Sequence, residues 1–187
     1  MWGNKISPDE SPTFFRDLSQ VRSRLEKDVG IPTEPDVILR IPGQAIVLVK
    51  AKFGLPNGRF TGKEKLFGSV DNYLRRYKPK RHADDPLNRE WIAAQPSDRV
   101  LEQLCRNAVF ADWLAEKDER AFVINLVEAK SETDVEKEFN CHLRPGPVTF
   151  FRRCWNDILE LPILRSDAAR PLHHYLSKKT LRLRKAF

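Results

Sequence analysis

"PDVILRIPGQAIVLVKAKFG", Pro35 to Gly54, decides how this chain folds. Behind an acid, "DVILRI" is aliphatic and β-branched, "PGQ" (Pro42 to Gln44) is turn chemistry, and "AIVLVKAK" is a second apolar run that ends on Lys50 and Lys52. Two strands joined by a tight turn are predicted, a β-hairpin. The second run is apolar on both faces from Ala45 to Val49, the pattern of a central strand covered on both sides. Residues two apart in a strand share a face, so Lys50 and Lys52 project together, and the hairpin brings Asp36 beside them. Chemistry is expected at this polar end.

Outward from the hairpin, Phe14, Leu18, Val21, Leu25 and Val29 recur at helical spacing. Thr13 offers an N-cap and Gly30 a stop. The stretch from Gly54 to Pro96 is rich in Gly, Pro and charge, with one helix expected around Lys65 to Tyr77 and the rest read as an insertion or substrate-facing segment. Ser97 is read as the cap of a helix running to about Lys117, its buried stripe being Leu101, Leu104, Ala108, Ala111 and Leu114. "AFVINLV" (Ala121 to Val127) is a buried strand, Thr133 with Glu136 a capping box opening a helix to about Leu143, "VTFFRR" (Val148 to Arg153) a strand, and "WNDILEL" a helical turn or two. The order is α/β, in one domain over 1–187 with its core at about 14–161 and a basic helix at about 166–187. At least one crossover between strands should be parallel.

Composition sets the class. A chain of 187 residues with 41% hydrophobic residues can bury a real core, and no run approaches the roughly 18 apolar residues of a membrane span. "MWGNKISPDE" lacks the basic-then-apolar order of a secretory signal. Cys105, Cys141 and Cys154 are odd in number and far apart, which suits reduced thiols. A cytoplasmic place and no membrane partner are the expectations. The formal charge of +7 biases the chain toward polyanions, since Lys and Arg that neutralise phosphates release counterions. The excess gathers in "RRYKPKR" (Arg75 to Arg81) and "KKTLRLRK" (Lys178 to Lys185), both interleaved with apolar or aromatic residues. His82, His142, His173 and His174 show no catalytic spacing with a serine or cysteine, and no Gly-rich NTP loop is present.

On these residues the chain resembles the PD-(D/E)XK, or restriction-endonuclease-like, nucleases. "PD" (Pro35, Asp36) opens one strand, "KAK" ends the next where the family has an acid, any residue and lysine, and a helix follows carrying Gln103 and Arg106 in "EQLCRN". "AFVINLV" and "FFRRCWNDI" then match the later strand and the strand-to-helix passage, so the resemblance covers roughly Phe14 to Leu161. It implies a mixed β-sheet flanked by helices and hydrolysis of DNA, most often double-stranded, with Mg2+ or Mn2+. Many relatives cut both strands as dimers, which makes a homodimer an expectation. The implied catalytic residues are Asp36, Lys52 and Gln103, with Lys50 at the position of the second acid. Asp36 is the implied metal ligand, with Glu26 on the first helix and Glu128 in "LVEAK" as further acids. Nucleic-acid contacts fall to Arg59 and Lys63 in the Gly-rich stretch, to Arg75, Arg76, Lys78, Lys80 and Arg81, and to Arg106.

Lys50 departs from the family pattern at the metal position. A divalent ion beside one acid at about 4 Å gains roughly 8 kcal/mol at an effective dielectric of about 20, and a lysine reverses that sign. Three readings follow: a natural or engineered inactivating substitution, a binding-only relative, or an acid migrated from elsewhere, the first two being preferred. Plainer readings stand beside the others. Glu128 and Lys130 fit an exposed strand end, Glu26 a solvated helix face, Arg106 a surface pair with Glu102, and Trp155 the core. A lysine at the end of a central strand must be solvated, neutralised or paired, and Asp36 or Glu128 is the expected partner of Lys50.

Overall fold

The computed structural model describes residues 13–27, 35–52, 57, 69–80, 84–162, 166–171 and 174. Its elements are α1 (Thr13–Leu25), β1 (Val37–Ile41), β2 (Ala45–Ala51), α2 (Val70–Arg76), α3 (Arg89–Ala93), α4 (Glu102–Leu114), β3 (Arg120–Val127), α5 (Val135–Asn140), β4 (Val148–Cys154) and α6 (Trp155–Leu159). The four strands form one open mixed sheet in the order β1-β2-β3-β4. The hairpin pairs antiparallel, with Val37 opposite Val49 and Ile41 opposite Ala45. Gly43, at φ +68°, takes the left-handed turn position that a side chain would strain. β2 pairs parallel with β3, and β3 parallel with β4, as the crossover reading requires.

β2 is central and buried at Ala45, Ile46, Leu48 and Val49. Its even-numbered side chains face α4, which is buried almost all round: Leu104, Cys105, Ala108, Val109, Phe110 and Ala111 are all shielded from solvent. α1 lays Leu18, Val21 and Leu25 into the same core. On the opposite face of the sheet β1 leaves Val37, Leu39 and Ile41 about half exposed. The three cysteines are free thiols, and burial raises that of Cys105. No described helix is long and apolar enough to cross a membrane.

Several boundaries differ from the sequence reading. α1 ends at Leu25, and Val29 and Gly30 lie outside the described residues. Ser97 does not cap α4: Ser97–Arg99 forms a separate 3-10 turn, Val100 is extended, and α4 starts at Glu102. There the Leu101 N–H donates to buried His142 Nε2 at 3.3 Å, while His142 Nδ1 lies 3.1 Å from the Glu138 carbonyl, so an imidazole organises the approach to the helix. The capping box at Thr133 and Glu136 does not form. α5 starts at Val135 behind Asp134, and the Glu136 carboxylate instead accepts the Arg152 backbone N–H of β4 at 2.7 Å. α3 was not expected. Asn88 caps it, and Arg89 donates to the Leu74 and Tyr77 carbonyls at the end of α2, fixing where the basic run begins.

Candidate functional site

The hairpin delivers Asp36 and Lys50 to the same spot, where Lys50 Nζ lies 3.2 Å from Asp36 Oδ2. That oxygen also accepts the Ala51 backbone N–H at 2.8 Å. Asp36 is the partner of Lys50 that the strand argument requires. Two residues on, Lys52 Nζ donates to Gln103 Oε1 at 2.9 Å, across to the first turn of α4. The Lys52 backbone is held on both sides, its N–H by the Leu126 carbonyl and its carbonyl by the Trp155 indole N–H at 3.3 Å. Trp155 is therefore half-buried beside the site rather than core.

Two lysines and two carboxylates meet at this end of the sheet. Burial and then the neighbouring Lys50 hold Lys52 below the ordinary lysine value, while Asp36 and Glu132 act in the other direction. The N-terminus of α4, whose backbone dipole carries partial positive charge, adds to the two ammonium groups. The site also lies at the C-terminal ends of parallel strands, where ligands of open α/β sheets bind.

Sequence reasoning missed a second set of groups on the same face. Lys50, Asn125 and Arg152 stand opposite one another on β2, β3 and β4. The Arg152 guanidinium donates to the carbonyls of Glu128, Ala129 and Ser131 and so shapes the turn after β3. Next in that turn Glu132 has φ +49°, a left-handed conformation costing a non-glycine residue roughly 1–2 kcal/mol. Its carboxylate takes three hydrogen bonds: from Asn57 N at 2.8 Å, Asn57 Nδ2 at 2.7 Å and Asn125 Nδ2 at 3.0 Å. Asn57 Nδ2 also donates to Asn125 Oδ1 at 3.0 Å. One signal was visible in the sequence, since Asn125 is the only polar residue inside "AFVINLV".

The remaining predicted residues sit elsewhere. Glu26 is not on a solvated face. It is buried just past the end of α1, accepts the Tyr77 hydroxyl at 2.6 Å and lies 3.6 Å from Arg106. Arg106 is not a surface pair either, because its Nε lies 2.9 Å from Glu102 Oε1 and Glu102 is buried. Burial alone would lower the Arg106 value, but Glu102, Tyr77 and Tyr73 raise it, and burial raises both tyrosines. Glu26, Arg106, Glu102 and Tyr77 thus form an internal cluster joining α1, α2 and α4. Glu128 is half-buried at the end of β3 and Lys130 exposed.

In the basic run, Arg75 and Lys78 are exposed and Arg76 half-buried. Lys80 Nζ donates to the Ala115 carbonyl at 2.7 Å, a cation at the C-terminal end of α4. That end is about 16 Å along the helix from Gln103 at 1.5 Å per residue. Arg59, Lys63, Arg81, His82, His173 and Lys178 to Lys185 lie outside the described residues, as do 172, 173 and 175–187 of the basic helix expected at 166–187, where Asp167–Ala169 forms a 3-10 turn.

A cation does not fit between Asp36 and residue 50, because the Lys50 ammonium already stands against the carboxylate. Among the described residues no three His, Cys, Asp or Glu side chains are grouped to hold a metal. Comparison of the chain with protein-family models, with curated proteins and with solved structures gives no match.

Proposed function

We propose that this is a restriction-endonuclease-like domain acting on DNA, with a hydrolytic centre of Asp36, Lys52 and Gln103 that Lys50 blocks. The observation that carries the reading is the ion pair of Lys50 with Asp36, set two residues from a lysine anchored to the first turn of α4. A lysine just past the C-terminal end of β2, with an acid brought beside it by the start of the antiparallel β1, suits an extended anionic substrate better than a small apolar one. Lys52 would face the charge that develops on a phosphodiester under attack. Lys50 cancels the field of Asp36 and supplies no ligand, so no step through Mg2+ or Mn2+ is drawn for the chain as it stands. The same reading takes double-stranded DNA as partner, with Arg75 and Lys78 as phosphate contacts, a homodimer as the cutting form and the cytoplasm as its place.

The ion pair equally favours a second reading, a domain that binds nucleic acid without cutting it. Lys50→Glu separates the two. The substitution is expected to produce Mg2+- or Mn2+-dependent nicking of plasmid DNA that the unmodified protein lacks, and crystals soaked in manganese should show an ion beside Asp36 only in the variant. A folded Lys50→Glu protein that cuts no form of DNA with either metal, yet binds DNA in a salt-sensitive way, would leave the binding domain as the better account.

A further inference from the structure

Glu132 is held more firmly than a turn residue needs to be. Its backbone is left-handed without being glycine, and its carboxylate is gripped by Asn57 and Asn125. Such conformations persist where the surroundings over-determine them, and they collect at functional sites. Asn57 is 3% exposed and its Oδ1 is buried with no hydrogen-bond partner, so its donors alone fix its amide. A buried acceptor left unpaired is a second local cost of this arrangement. Asn57 lies five residues beyond Lys52 in the chain, and Asn125 lies opposite Lys50 in the sheet. The network therefore pins Asn57 to Asn125 of β3, next to Leu126, whose carbonyl holds the Lys52 N–H, and brings a carboxylate toward the ammonium.

We infer that Glu132 is a positioning residue of the site, which through Asn125 steadies the end of β3 that holds the Lys52 backbone and so keeps the Lys52 ammonium in place. Glu132 touches no reacting atom in this account. The inference rests on the reading of Lys52 as the acting lysine, and Lys52 sits within the electrostatic reach of Glu132.

Glycine at position 132 is the informative substitution. It relieves the left-handed backbone, so a residue that served only the turn would be replaced without loss. Thermal melting and the acetylation rate of Lys52, normalised to exposed Lys27 and Lys78 and read by peptide mass spectrometry, are measured for Glu132→Gly, Glu132→Gln and Asn57→Ala. The expected result is a cooperative melt for Glu132→Gly with Lys52 acetylated several-fold faster than in the unmodified protein, and a smaller change in the same direction in Asn57→Ala, which keeps the carboxylate but removes one of its two side-chain anchors. In the Lys50→Glu background, Glu132→Gly is expected to lower kcat about tenfold or more with KM little changed, as a misplaced group does. Unchanged Lys52 reactivity in folded Glu132→Gly and Asn57→Ala overturns the inference. If one variant fails to fold, the other decides by the same measure. If Lys50→Glu does not cut, the nuclease reading fails, while Lys52 reactivity still decides the role of Glu132.

Discussion

The two ends of the β1–β2 hairpin carry their positive charge in opposite ways. At the turn end Arg40 reaches the Leu114 carbonyl at the C-terminus of α4 at 2.5 Å and lies within 3.6 Å of carboxylates from Asp17, Glu116 and Glu119. The Glu119 carboxylate in turn accepts the Gly43 and Glu116 backbone N–H groups. One cation has three carboxylates around it, at the helix end whose dipole favours it. At the open end two lysines stand side by side at the helix end whose dipole opposes them. The difference teaches which charges hold the fold and which are kept despite it. Repulsion between neighbouring lysines, an orphaned amide oxygen and a left-handed glutamate all fall at the open end.

The comparison predicts unequal costs. Arg40→Met leaves the nearly inaccessible carboxylate of Glu119 without its cation, and breaking such a pair should cost about 3–5 kcal/mol. Lys50→Met breaks a pair whose members are 20% and 35% exposed, worth no more than about 1 kcal/mol, and it also removes a like charge from beside Lys52. Urea denaturation, read as a shift in midpoint at constant slope, measures both. Equal losses would break the distinction between an end whose charges hold the fold and one whose charges do not.

A third charge cluster sharpens it. The Tyr77 hydroxyl donates to Glu26, a buried carboxylate that also faces Arg106. Tyr77→Phe keeps the ring in place but removes a hydrogen bond to a charged acceptor, so about 1.5–3 kcal/mol should be lost in the same titration. A loss below about 0.5 kcal/mol would indicate that water takes the place of Tyr77 as the donor to Glu26 in solution.

What the sequence disclosed follows from which interactions are local. The hairpin, its parallel neighbour and the stripe on α4 were readable because strand and helix periodicity lie within a few residues of one another, and because Ala45 to Val49 is apolar on both faces. The placement of Asp36, Lys50 and Lys52 on one end followed from the same periodicity. Ser97 misled, because its local capping preference lost to Leu101 and His142, partners 41 residues apart. Glu136 misled in the same way, its carboxylate drawn to β4. Glu26 and Arg106 read as surface charges because each has a polar neighbourhood in sequence, whereas their partners come from three different helical segments. Glu132 had no local mark at all. Its role depends on Asn57, 75 residues away, and on a backbone angle that residue type does not announce.

The smallest expected effect concerns Lys52 itself. Burial and Lys50 lower its value below that of an ordinary lysine, so in the interval between the two the unfolded chain binds more protons than the folded one. Stability then rises as pH climbs through that interval, and below it the penalty is constant. Tyr73 and Tyr77 oppose this, since burial raises both hydroxyls and the folded state keeps their protons longer. The quantity to follow is therefore the difference between proteins rather than one curve. Lys52→Met should be slightly more stable than the unmodified protein at neutral pH, and its advantage should shrink as the solution is made alkaline toward the ordinary lysine value. Lys50→Met should show part of the same trend, because it removes the second cause of the shift but not the burial. Denaturant midpoints taken at successive pH values give the differences directly. A stability difference for Lys52→Met that stays flat with pH would mean that Lys52 titrates alike in both states, and that the open end is no more strained than the turn end held by Arg40.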